Sequence, residues 1–113
     1  MVIEFLETRV MLATPVIAGW WSGLWHNSLA DDGAVMVRFK QVGSKVSGRA
    51  VDSDGEVYSI AGSIGSAGII KLTMKGDDGT AAVTGKIISG RISMSFQANS
   101  GVTGKFSLRR ITA

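Results

Sequence analysis

The chain has 113 residues, 45% of them hydrophobic, and its 12 Lys and Arg against 9 Asp and Glu give a net charge of +3. This length suits one domain with a buried core, and the composition excludes a disordered or collagen-like chain. The absence of cysteine excludes disulfides, thiolate nucleophiles and cysteine metal sites. The small net charge argues against nucleic-acid binding, and no apolar run reaches the roughly 18 residues of a membrane-spanning helix.

The N-terminal segment differs in pattern from the rest of the chain. Its apolar residues recur at the spacing of one helix face, and Pro15 follows them. We therefore predict a short helical segment over residues 1–17 and a β-barrel domain over residues 18–113. A cleaved signal peptide is disfavoured, because no basic region precedes an apolar stretch. The apolar positions of the helix are Ile3, Leu6, Val10 and Ala13.

Part of this segment resembles a known motif. Leu6-Glu7-Thr8-Arg9-Val10-Met11-Leu12-Ala13 is similar to the Leu-Glu-Pro-Arg-x-Leu-Leu motif near the N-termini of large exported proteins of some environmental bacteria. Thr8 replaces the motif's proline and Met11 replaces a leucine. The resemblance implies an exported protein, and the alternative is a short helix that packs on the domain.

From residue 18 onward the apolar period changes to two, which is typical of β-strands with one buried face. Short clusters of Gly, Asp, Asn and Ser separate the segments, and such residues favour tight hairpin turns. The pattern predicts an all-β antiparallel meander. We expect eight strands, over residues 18–27, 33–42, 45–52, 56–64, 67–74, 80–88, 91–98 and 102–111.

A meander of this length has two unprotected edges unless it closes into a barrel, and glycines inside strands permit the necessary bending. We therefore predict a closed up-and-down barrel of about eight strands, with the N-terminal helix plugging one end. Inward-facing glycines are also expected to make room for tryptophan. The residues expected to shape the barrel are Trp21, Gly23, Gly48, Gly62, Gly85, Gly104 and Arg110.

Successive turns of a meander alternate between the two ends of the barrel. The first, third and fifth predicted turns carry every aspartate of the chain, so one rim is expected to be acidic. Strand direction and alternation also place apolar and aromatic side chains toward this rim. We predict that a small apolar or aromatic ligand binds at a mouth formed by Trp25, Val35, Tyr58, Met74 and Phe96.

The predicted barrel resembles the calycin class, which includes lipocalins and avidins. Gly23-Leu24-Trp25 and Gly19-Trp20-Trp21 are both similar to the Gly-x-Trp of the first lipocalin strand, and Arg110 resembles the arginine that packs across that tryptophan. Avidin-type biotin binding is disfavoured because no tryptophan follows Trp25. The resemblance implies the barrel and does not identify a ligand.

Catalysis and metal binding receive less support from the sequence. His26 is the single histidine, so a Ser/His/Asp triad would depend on a residue expected at the surface. The turns Asp52-Ser53-Asp54-Gly55 and Gly76-Asp77-Asp78-Gly79 allow weak calcium binding, but ordinary hairpins explain them better. No metal, cofactor or nucleic acid is expected.

Three functions therefore remain open at this point. The first is a non-catalytic barrel that binds a small apolar ligand. The second is a structural or interaction domain with a filled core, displayed at the cell surface or secreted. The third, a lipid-modifying barrel enzyme, would need a polar group inside, for which Tyr58 is the candidate.

Overall fold

A computed structural model describes residues 14–77 and 79–111, and over these residues the chain is a closed antiparallel barrel of eight strands. Each strand pairs with its neighbours in sequence, and β1 closes the barrel by pairing with β8. The predicted fold class is therefore confirmed. The strands are β1 Gly19–Asn27, β2 Asp32–Val42, β3 Lys45–Asp52, β4 Val57–Ile64, β5 Ile69–Gly76, β6 Gly79–Ile88, β7 Arg91–Ala98 and β8 Thr103–Arg110.

Apart from β5, every strand limit agrees with the prediction or differs from it by one residue, whereas β5 starts and ends two residues later. The cause is the turn that precedes it. Gly68 has a φ of +82°, which favours glycine, and its amide donates to the carbonyl of Gly65 at 3.0 Å. Residue 68 therefore belongs to the turn, and β5 extends instead to Gly76, which pairs with Gly79.

The barrel has a closed end and an open end. The closed end lies at the β2–β3, β4–β5 and β6–β7 turns, and the open end lies at the other four turns. Alternation along the strands directs apolar side chains inward, and a packed core fills the half next to the closed end. Its largest fully buried side chains include Trp21, Phe39, Ile64, Ile70, Ile92 and Leu108.

Residues 15–18 seal the closed end without forming a helix. Ile17 is fully buried in the core, and its carbonyl accepts a hydrogen bond from the indole Nε1 of Trp21 at 2.8 Å. The Gln41 side chain bonds this segment twice, donating to the Pro15 carbonyl at 2.8 Å and accepting from the Ile17 amide at 2.7 Å. The predicted helical plug is thus wrong for residues 14–17.

The rest of the predicted helix and the motif at residues 6–13 lie outside the described residues. Within the described residues, no helix has the length and apolar character to cross a membrane.

Inward-facing glycines allow the strands to approach each other closely. A Cβ on Gly48 would overlap the carbonyl oxygen of Arg38 on β2, and a neighbouring carbonyl is similarly close to Gly23, Gly62, Gly85 and Gly104. The side chains nearest to these glycines are those of Leu72, Met94 and Phe96. At these positions the adjacent strand, and not a tryptophan as expected, requires a glycine.

Candidate ligand-binding site

A recess of about 350 Å³ opens at the end of the barrel that residues 15–18 leave uncovered. We call it the mouth pocket. Its lower wall consists of inward-facing strand residues, and its rim consists of residues from the β1–β2, β3–β4 and β7–β8 turns and the first residues of β6. The packed core therefore extends to the base of this recess.

All five residues predicted to bind a ligand line the mouth pocket. They come from five different strands and meet because each has the inward parity and lies toward the open end of its strand. Val35 and Met74 are buried at the base of the pocket, whereas Trp25, Tyr58 and Phe96 are half-buried along its wall.

Trp25 packs over Gly33, its partner in the β1–β2 register. A Cβ on Gly33 would lie 2.9 Å from the indole Nε1, so any larger residue there would displace the ring. The Nε1 atom is buried and has no hydrogen-bond partner among the described residues. Burying an unpaired donor of this kind costs about 1–3 kcal/mol.

Two phenylalanines form the wall on the β7–β8 side. Phe96 and Phe106 stack with ring centroids 5.0 Å apart and an interplanar angle of 29°. Gly104, next to them on β8, provides the space, because a Cβ there would overlap the Phe96 ring. The two rings give the pocket an aromatic face.

Two carboxylates contact the hydroxyl of Tyr58 on the opposite wall. Oδ2 of Asp52 lies 3.1 Å from the phenol oxygen, and Oε2 of Glu56 also contacts it. Burial raises the pKa of Tyr58 well above its ordinary value, and the hydrogen bonds and negative charges of Glu56 and Asp52 raise it further. Tyr58 is therefore a neutral phenol at physiological pH.

Fewer aspartates line the mouth pocket than the positions of the aspartates in the sequence indicated. Asp52 and Asp54 line the mouth pocket, whereas Asp31, Asp32 and Asp77 do not, and Asp78 lies outside the described residues. Oδ1 of Asp52 accepts hydrogen bonds from the amides of residues 54 and 56, both at 3.0 Å. In the described part of the chain, no three His, Cys, Asp or Glu residues are grouped as metal ligands.

Sequence reasoning missed four residues that shape the pocket: Gly33, Glu56, Gly76 and Phe106. Phe106 has the inward parity of β8 and could have been found from alternation. Gly76 accommodates the Tyr58 ring, since a Cβ there would lie 2.8 Å from it. Glu56 is the first residue of the predicted strand 56–64 and has the parity of Tyr58, so alternation could have placed it on the same face, although β4 itself starts at Val57.

Arg110 and Trp21, predicted as structural residues, meet at the closed end, where the guanidinium lies over the indole. His26 is exposed and lines shallow grooves of the outer wall.

No family model matches the chain, and no curated protein matches it. Its fold is similar to that of designed barrels. A de novo designed fluorescence-activating β-barrel has a TM-score of 0.70 at 17% identity, covering 84% of this chain and 94% of that one. The redesigned barrel mFAP1, bound to DFHBI, has a TM-score of 0.66 at 13% identity, covering 89% and 97%. At these identities the likeness establishes the fold alone.

Proposed function

We propose that this protein is a non-catalytic barrel that binds a small apolar or aromatic molecule in its mouth pocket. The observation that carries the proposal is the division of the interior into a sealed, packed half and an open half with aromatic walls. A pocket of about 350 Å³ falls in the size range of small-molecule sites. The redesigned barrel mFAP1, which is similar in fold, is bound to DFHBI, and this supports small-molecule binding by a barrel of this kind.

A calycin-like relationship is part of this proposal. Trp21 and Arg110 are register partners on the first and last strands, and their contact matches the arrangement implied by the lipocalin resemblance. The Gly-x-Trp that fits is then Gly19-Trp20-Trp21, since Trp25 belongs to the mouth pocket.

We propose no catalytic role for Tyr58. Its raised pKa keeps the hydroxyl protonated, so the phenol is a poor general base at physiological pH. Its hydroxyl donates to a carboxylate of the pocket wall, which suits a fixed binding surface.

The test compares two neighbouring alanines on β6. Ala81 lines the mouth pocket, whereas Ala82 is exposed on the outer wall. Titration with Nile red, a neutral aromatic dye, is followed by dye and tryptophan fluorescence. We expect Ala81→Leu to fill the pocket and weaken binding at least about tenfold, because the added side chain excludes the dye. Ala82→Leu should bind like the parent.

Equal binding by both variants would place the dye elsewhere on the barrel, and no saturable binding by the parent protein would remove the proposal. Thermal unfolding of each variant distinguishes loss of the pocket from loss of the fold.

A second function, as an interaction domain, is favoured by an apolar row on the outer wall. Met36, Val51 and Val57 are successive register partners on β2, β3 and β4, and each is more than 40% exposed. Leu24 lies nearby on β1 and is 69% exposed. If this row is an interface, Val51→Lys should abolish any self-association seen by analytical ultracentrifugation. A parent protein that is monomeric at high concentration would argue against self-association through this row.

A further inference from the structure

The charge of the mouth pocket is opposite to that of the chain. Three carboxylates, those of Asp52, Asp54 and Glu56, belong to the β3–β4 side of its wall. None of its described lining residues is Lys, Arg or His, although the chain carries 12 Lys and Arg against 9 Asp and Glu. A pocket with this charge attracts cations and repels anions.

The polar groups of the pocket do not satisfy one another. The phenol of Tyr58 has one proton, but a carboxylate oxygen of Asp52 and one of Glu56 both contact it. Among the described residues, that phenol is the only group hydrogen-bonded to the Glu56 carboxylate. The single phenol proton can be donated to only one of these two carboxylates at a time. The carboxylates of Asp52 and Glu56, both half-buried, therefore share one donor.

The aromatic face lies across the barrel from the acids. In a closed barrel of eight strands, β4 is diametrically opposite β8, so Tyr58 with its carboxylates faces the stacked rings of Phe96 and Phe106. A ligand lying across the pocket would contact both surfaces at once. The aromatic rings suit an aromatic body, and the carboxylates suit a group with several N–H donors.

We propose that the ligand is a small aromatic amine, whose ammonium group binds between Asp52 and Glu56 while its ring packs on Phe96 and Phe106. This inference rests on the proposed function and adds the charge of the ligand to it. An ammonium group has three donors and supplies the one that the two carboxylates lack. A neutral alcohol offers one O–H donor without the positive charge, and an anionic analogue offers no donor and is repelled by the carboxylates.

The test uses three probes of nearly equal size: naphthylethylamine, naphthylethanol and naphthylacetate, each titrated into the full chain by calorimetry at neutral pH. We expect the amine to bind at least about tenfold more tightly than the alcohol, and the acetate to bind most weakly. Glu56→Gln should reduce the preference of the amine over the alcohol to less than about threefold, because it removes one of the two charges that face the ammonium group.

Asp77→Asn is the matched control. It removes the same charge from a turn of the open end without changing a residue of the pocket wall, so the preference for the amine should persist. If all three probes fail to bind, the proposed function fails. If the amine and the alcohol bind equally well, or the acetate binds best, the binding function stands and the cationic ligand is excluded.

Discussion

The guanidinium of Arg110 lies 4.5 Å from the centroid of the Trp21 indole. The same guanidinium donates to the carbonyls of Val16 at 2.9 Å and Ala18 at 2.7 Å. One side chain from the last strand therefore holds the first strand and the segment that seals the barrel. It satisfies backbone acceptors that the sheet cannot pair, while its flat face covers the largest side chain of the core.

Replacing Arg110 by methionine should destabilise the barrel by about 1–2 kcal/mol, because a cation–π contact and two charged hydrogen bonds are lost. Arg109→Met is the control, since the neighbouring residue has the opposite parity on β8 and is exposed. Urea denaturation measures both free energies of unfolding. Equal effects of the two substitutions would show that the contact with Trp21 contributes nothing specific.

Residues 15–18, which seal the closed end, provide a second pair of substitutions, one at a buried position and one at an exposed position. Ile17 is fully buried and Val16 is 66% exposed, so Ile17→Ala should cost about 2–4 kcal/mol through the cavity that it leaves. Val16→Ala should change the free energy of unfolding by less than about 0.5 kcal/mol. If both variants lowered the free energy of unfolding only slightly, residues 15–18 would not unfold cooperatively with the core.

Close strand approach can be tested at Gly48. Gly48→Ala should cost about 2 kcal/mol or more, because the new Cβ overlaps the Arg38 carbonyl and the backbone has to move. Gly65→Ala is the control, since its nearest heavy atom would be 3.9 Å away and its φ is not in the left-handed region. Thermal denaturation followed by circular dichroism compares the two, and a Gly48→Ala variant as stable as the control would contradict the strand geometry.

The raised pKa of Tyr58 predicts how the free energy of unfolding changes with pH in the alkaline range. Its pKa is raised in the folded state, by burial first and then by Glu56 and Asp52, so the folded protein keeps the phenol proton after the unfolded chain has lost it. This contribution is complete below the ordinary pKa of about 10 and is lost progressively as the pH rises above it. Stability should therefore fall above that pH.

The chain has a single tyrosine, so its ultraviolet absorbance reports the ionisation of Tyr58 directly. The folded protein should show no tyrosinate near the ordinary pKa, whereas the urea-unfolded chain should titrate normally. Glu56→Gln should lower the folded pKa, because it removes one of the charges that oppose ionisation. Normal titration in the folded protein would contradict the buried contact.

Much of the mouth pocket could be predicted because inward parity is a local property of each strand. Trp25, Tyr58 and Phe96 were identified from alternation and from the direction of their strands, and both signals are present in short sequence windows. Glu56 has the same parity as Tyr58, but its contact could not be found this way. Glu56 lies just before β4, and the contact depends on how its side chain turns toward the Tyr58 hydroxyl.

Period-two alternation and turn residues act over a few positions, so the sequence was enough to predict eight strands, their order and the end at which the aspartates gather. The division of the interior follows from the folded barrel. Whether a barrel is filled depends on side-chain volumes summed over all eight strands, and on Ile17, which enters the core from outside the sheet. Closure at one end left the other end open, with the acids and the aromatic rings on opposite walls.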